Sequence, residues 1–149
     1  MIVAVCKEDG VITGIVKQAT TYNKLAFGEW CTIQEAKTRK LKQNEDLFLV
    51  ARNAEFSVNS EPLIGSRPDH VMLNAVQLLS LVNIFPTGYT GSVFVYVAVG
   101  DAGGQATRRL INQIKTILSQ VFPLPKYYMH VGHGVGHIPS PRDTVWVKI

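Results

Sequence analysis

The segment best suited to hold an anion is Val99-Gly-Asp-Ala-Gly-Gly104, followed by Gln105, Thr107, Arg108 and Arg109. An apolar run ends there, glycines turn the chain, and an amphipathic stretch begins. Free backbone N–H groups and the dipole at a helix start favour negative charge, and two arginines in the first turns reinforce it. Gly100, Asp101, Gly103, Gly104, Arg108 and Arg109 are therefore the candidate residues for a phosphate or similar ligand. The spacing matches neither of the two familiar phosphate loops. No Gly-Lys-Ser/Thr follows, and the glycines are spaced wrongly for the dinucleotide fingerprint. The competing reading is a tight strand-to-helix turn that needs positive φ and close backbone approach.

His130-Val-Gly-His133-Gly-Val-Gly-His137 places three of the chain's four histidines within eight residues. Neutral imidazoles are good metal ligands, so His130, His133 and His137 form the candidate metal set, with a divalent ion as the only cofactor suggested. Strand alternation puts His130 and His133 on opposite faces, whereas His133 and His137 can share one. A glycine-rich loop with exposed histidines is the plainer alternative.

A third group is cationic. Lys37, Arg39, Lys40 and Lys42 lie in one short run, and Lys115 joins Arg108 and Arg109 further on. Such groups track phosphates or simply solvate a helix face. Tyr22, Trp30, Tyr127 and Tyr128 are not interleaved with these charges, so no base-stacking platform is legible. Nucleophilic catalysis has little support: Cys6 and Cys31 stand far apart, and Ser140 near His137 and Asp143 is an arrangement any chain of this size contains.

These residues need elements to position them. Ser92–Gly100 is the clearest strand. Val93, Val95, Val97 and Val99 alternate with Phe94, Tyr96 and Ala98, so both faces are apolar and the strand is central. Leu110, Ile114, Ile117 and Val121 recur at helical spacing over 105–121. Ile2–Cys6 and Val11–Lys17 read as strands around the turn Glu8-Asp9-Gly10, which predicts a hairpin. Thr32-Ile-Gln-Glu35 has the form of a capping box and predicts a short helix to about Asn44, with Trp30–Ile33 as a third strand the alternative. Asp46–Arg52 reads as a strand and 58–67 as a loop. Ser66 and Asp69 offer caps for a helix carrying Val71, Ala75, Leu78 and Val82. Tyr127–Val131 and Thr144–Ile149 complete the set. The expectation is a single α/β domain over residues 1–149. It has a mixed sheet of five to six strands, an N-terminal antiparallel hairpin and helices packed on the sheet.

Three acids punctuate this order: Asp9 after the first strand, Asp101 after the central one, Asp143 before the last. With the antiparallel start and the helix–strand alternation, the topology resembles the ribonuclease H-like fold. That resemblance implies carboxylates clamping two metal ions on a phosphodiester. The chain departs from the pattern, since Ile2–Cys6 carries no acid and the helix after Val71 has only Asn74 and Gln77. The resemblance therefore implies a binding protein without intact nuclease chemistry.

The totals agree with a folded, mildly basic protein. The 149 residues carry a net charge of +4, which favours phosphate-bearing partners. Charged residues make up 17% against about 25% in typical proteins, leaving neutral surface for a partner or a second copy. The two cysteines are no disulfide framework. The run Val71–Phe85 is interrupted by Asn74, Gln77 and Asn83, so no membrane span is expected, and the location expected is cytoplasmic. The first functional expectation is a nucleic-acid-binding protein using phosphate contacts from a basic surface. The alternatives are a self-assembling or protein-interaction protein without catalysis, and a binder or hydrolase of a phosphorylated small molecule at the glycine turn.

Overall fold

The computed structural model describes residues 1–132 and 136–149. Its main sheet has six strands: β1 (Ile2–Ala4), β2 (Trp30–Thr32), β3 (Leu47–Ala51), β7 (Val93–Val97), β8 (Tyr127–Val131) and β9 (Val147–Lys148). They lie in the order β2-β1-β3-β7-β8-β9. The first five are parallel, and β9 is antiparallel to β8. A small antiparallel meander of β4 (Asn53–Phe56), β5 (Pro62–Ser66) and β6 (Val71–Leu73) is inserted after β3. The fold is thus the expected single α/β domain with a mixed six-stranded sheet.

Four helices pack on it: α1 (Gly10–Tyr22), α2 (Lys24–Phe27), α3 (Ala75–Leu81) and α4 (Gln105–Leu118). Both sheet faces are buried, as parallel sheets require. On one face Val3, Leu49, Val95 and Val97 meet Leu78, Leu110, Ile111 and Ile114 of α3 and α4. On the other, Ile2, Ala4, Phe48 and Val50 meet Ile12, Ile15 and Val16 of α1. The rest of that second face is aromatic. Phe48 stacks on Phe94 and Phe94 on Tyr128, with centroids 4.7 and 4.9 Å apart. Trp146 packs edge-on against Phe94 and, with Ile138, covers the stack.

The expected N-terminal hairpin matches only roughly. Ile2–Ala4 is a strand, but Val11–Lys17 lies inside α1. The β-branched residues suit a strand, yet Ile12, Ile15 and Val16 also form a helical i, i+3, i+4 stripe, and that stripe is what is buried. Asp9 accepts from Val11 N–H at 3.0 Å and caps the helix, so Glu8-Asp9-Gly10 starts α1 instead of reversing the chain. The antiparallel pair stands at the other edge, between β8 and β9.

Four further expectations shift. Of the strand expected over Thr144–Ile149 only Val147–Lys148 forms. Trp30–Thr32 is a strand, the alternative to the helix predicted after Thr32, and only the single 3-10 turn Glu35–Thr38 follows. Glu35 still accepts from Thr32 N–H and Oγ–H at 3.1 and 3.0 Å. The helix expected near Val71 starts later, because Asn74 and Gln77 form the reciprocal capping box of α3. Residues 71–73 are instead β6, and part of the expected 58–67 loop is β5.

Candidate functional site

In a parallel sheet, ligands favour the carboxyl ends of the strands, above all where the strand order reverses. Here the reversal falls between β1 and β3. That crevice is filled by the chain itself. The Asp9 side chain is only 3% exposed and meets Arg52 Nη1 at 3.2 Å. Ser66 Oγ–H donates to its other oxygen at 2.7 Å. Burial alone would raise the Asp9 carboxyl. The hydrogen bonds from Ser66 and Val11 and the charge of Arg52 outweigh burial and hold the group below the usual carboxylate range. Above it, Asp69 Oδ2 accepts from the backbone N–H groups of Lys7, Glu8 and Asp9 at 2.8, 3.0 and 2.9 Å. Three amides converging on one oxygen form an anion cradle, and the β5–β6 turn supplies the anion.

The open cleft lies over the next strands. Its volume is about 640 Å³, and Gly100–Gly104, Arg108, Met129–Gly132, Val145 and Val147 line it. Gly104 starts α4 at φ 69°, and a Cβ there would come within 2.8 Å of Met129 Cε. The left-handed φ is what favours glycine here. Gly132 is similarly constrained, because a Cβ would lie 2.8 Å from the Tyr96 hydroxyl.

Asp101 does not act as a free carboxylate. Oδ1 accepts from Ala106 N–H at 3.3 Å, and Oδ2 from Thr107 N–H and Oγ–H at 2.8 and 2.5 Å. It takes the amides that the sequence suggested for a ligand. An anion in this cleft is therefore met by Arg108, exposed on its wall, not by the helix start. The His130 ring stacks parallel on Tyr96 with centroids 5.4 Å apart and meets Trp146 edge-on, which fixes its plane.

The other candidates fall elsewhere. Arg109 leaves the cleft and lies 5.3 Å over the Phe56 ring. His137 is exposed and does not line the cleft, and His133 lies outside the described residues. Among the described residues no group of three His, Cys, Asp or Glu side chains is placed to hold a metal ion. Asp143 stands apart from Asp9 and Asp101, accepting from Val145 N–H at 3.2 Å.

The basic residues divide between sheet edges. Arg39 lies 3.7 Å from Glu29 and 3.9 Å from Glu35 near β2. Lys40 and Lys42 line a depression with Met1, Glu45 and Asp46, and Lys37 lines a cavity beside β6. Lys115 Nζ reaches the Ile149 carbonyl at 3.3 Å, beside β9. Exposed apolar side chains are likewise dispersed: Tyr22 on α1, Leu25 on α2, Val76 on α3 and Leu124 before β8. Burial pushes both thiols, Cys6 and Cys31, up to about 11, so neither is a ready nucleophile.

Sequence reasoning missed Arg52, and it read Ser66 and Asp69 as helix caps, whereas Ser66 donates to Asp9 and Asp69 accepts from the amides of Lys7, Glu8 and Asp9. The signal was Ser66-Arg-Pro-Asp69, a turn whose acid serves a distant loop. It also missed Val145 and Val147 as cleft walls. No family model, curated protein or solved structure matches the chain. No helix among the described residues is long and apolar enough to cross a membrane.

Proposed function

We propose that the protein binds a small phosphorylated molecule in the cleft over the carboxyl ends of β7 and β8. The observation that carries this reading is the convergence of Arg108 and the glycine turn on one concavity of about 640 Å³. Small-molecule sites commonly span roughly 300–1,000 Å³ and combine apolar walls with a few polar groups. Met129, Val145 and Val147 supply the apolar wall, and Arg108 the charge for the phosphate. The turn brings backbone close to the ligand. Asp101 holds the first turn of α4, so the rim that carries Arg108 is rigid. No catalytic step is assigned, because the carboxylate in the cleft is committed to hydrogen bonds. A cytoplasmic setting accompanies this reading, consistent with two unpaired, buried cysteines.

The test is calorimetric titration with inorganic phosphate and with mononucleotides, repeated on Arg108→Ala. The expected result is saturable binding that Arg108→Ala weakens about 10-fold or more, the weight of a charge-assisted contact. An oligonucleotide that binds with steep salt dependence, unaffected by Arg108→Ala but lost in Lys40→Glu/Lys42→Glu, would overturn it. That outcome favours the wider expectation of nucleic-acid binding from the β2 edge.

A further inference from the structure

A second cavity lies on the other side of the filled crevice, at the carboxyl ends of β1 and β2. It has a volume of about 390 Å³. Ile33, Val71, Leu73 and Leu81 form an apolar floor, continuous with the core packed under α3 and α4. Four exposed residues ring it: Lys7 after β1, Gln34 and Lys37 at the 3-10 turn, and His70 from the β5–β6 turn. No carboxylate is among its lining residues.

The contrast with the cationic depression at the opposite end of the strands is informative. There Lys24, Lys40 and Lys42 share the lining with Glu29, Glu45 and Asp46, so charge is balanced within the protein. Around the second cavity it is not. The acid next to His70 in the chain, Asp69, is already accepting from three amides, one of them that of Lys7. This contact also ties together the two loops that bring Lys7 and His70 to the same rim. His70 itself is held at φ 55°, a left-handed conformation uncommon outside glycine, which the turn bond from its N–H to the Arg67 carbonyl at 3.0 Å accompanies.

We infer that this cavity binds a small amphiphilic anion, a ring or short aliphatic body ended by a carboxylate or phosphate. The apolar floor takes the body, and the Lys7, Lys37 and His70 rim takes the charged end. A dry apolar cavity of about 150 Å³ suffices for a benzene ring, so the volume here admits a ring and its charged substituent. Lysines recognise anions as point charges without demanding one planar geometry, which is why carboxylate and phosphate belong to one class. The inference is independent of the cleft over β7 and β8.

Nuclear magnetic resonance titration of the isotope-labelled full chain tests it. The probes are benzoate, phenyl phosphate and uncharged benzyl alcohol at millimolar concentration. Both anions are expected to shift the amide signals of Lys7, Ile33, Lys37 and Leu73, and benzyl alcohol to bind about 10-fold more weakly. Gln34→Trp, a bulky substitution at an exposed lining position, should reduce benzoate affinity about 10-fold. Lys37→Glu, also exposed, should do the same without filling the cavity, and Arg108→Ala should change nothing. Equal binding of benzyl alcohol would overturn the anion preference. Shifts confined to the Arg108 cleft, or no shifts at all, would overturn the site.

Discussion

Above β1 and β3 the carboxyl end of the sheet is filled by its own chain; above β7 and β8 it is open. Each place has backbone amides at a helix start and an aspartate that accepts from them. In the first, Asp69 arrives from the β5–β6 turn and brings Ser66 with it, and Asp9 and Arg52 close the space beneath. In the second, Asp101 comes from the turn itself and folds back onto Ala106 and Thr107. The cap is satisfied locally, and the volume beyond it stays free. Parallel topology alone therefore does not decide where a ligand enters. The inserted meander does, by spending the favoured crevice on internal contacts and leaving its neighbour.

The largest effect is expected from breaking the filled side. Arg52→Met leaves Asp9 buried without its cation and should cost about 3 kcal/mol, the lower end for a broken buried pair because Arg52 is partly exposed. Urea denaturation measures it, and a double-mutant cycle with Ser66→Ala should show coupling between the two partners. Next comes Asp69→Ala, which removes one acceptor from three amides. A loss of about 1–2 kcal/mol is expected, as for a strong N-cap. Hydrogen exchange at Lys7, Glu8 and Asp9 should accelerate more than at α4.

The same network sets a pH limit. The Asp9 carboxyl is held below its ordinary value in the folded state, so its contribution is present above the unfolded value of about 3.9. It is lost as pH falls through the lower folded value. Stability should decline below about pH 4, and less steeply in Asp9→Asn, whose side chain does not titrate.

On the open side, Asp101→Ala should cost about 1 kcal/mol as a lost cap. It should also strengthen phosphate binding, because the amides of Ala106 and Thr107 become available beside Arg108. Weaker binding would mean that the cap holds the site together instead of competing with its ligand. The smallest effect belongs to Arg109→Ala. It should leave ligand affinity unchanged and lose only about 0.5 kcal/mol of cation–π contact with Phe56.

The sequence was most legible where periodicity and burial agree. Val93–Val97 is apolar on both faces and is central in the sheet; α4 starts at Gln105 as expected but ends at Leu118, and its buried stripe is Leu110, Ile111, Ile114 and Leu118, with the expected Ile117 and Val121 exposed. It misled where β-branched residues carry a helical stripe, as in Ile12, Ile15 and Val16, since composition suggests a strand while the covered face obeys a 3.6-residue period. Of the glycine-turn candidates, all but Arg109 line the cleft, because they sit on the turn or the α4 turn beside it. Arg109 is one position further round and faces β4. The internal plug was illegible for a different reason. Asp9, Arg52 and the Ser66–Asp69 turn come from three separate stretches, and no local spacing records that they meet.

The strand order also governs how the chain reaches its native state. β1 is flanked by β2 and β3, and β3 waits for β7 across the whole meander and α3. Little of the sheet can close from neighbours in sequence, and distant pairings carry the loop-closure entropy that slows folding. During synthesis the edge of β3 stays unpaired until Val93–Val97 emerges, and the sheet face under α4 stays open until 105–118 follows. The interval before that point is when the chain is most open to aggregation or to capture by a chaperone.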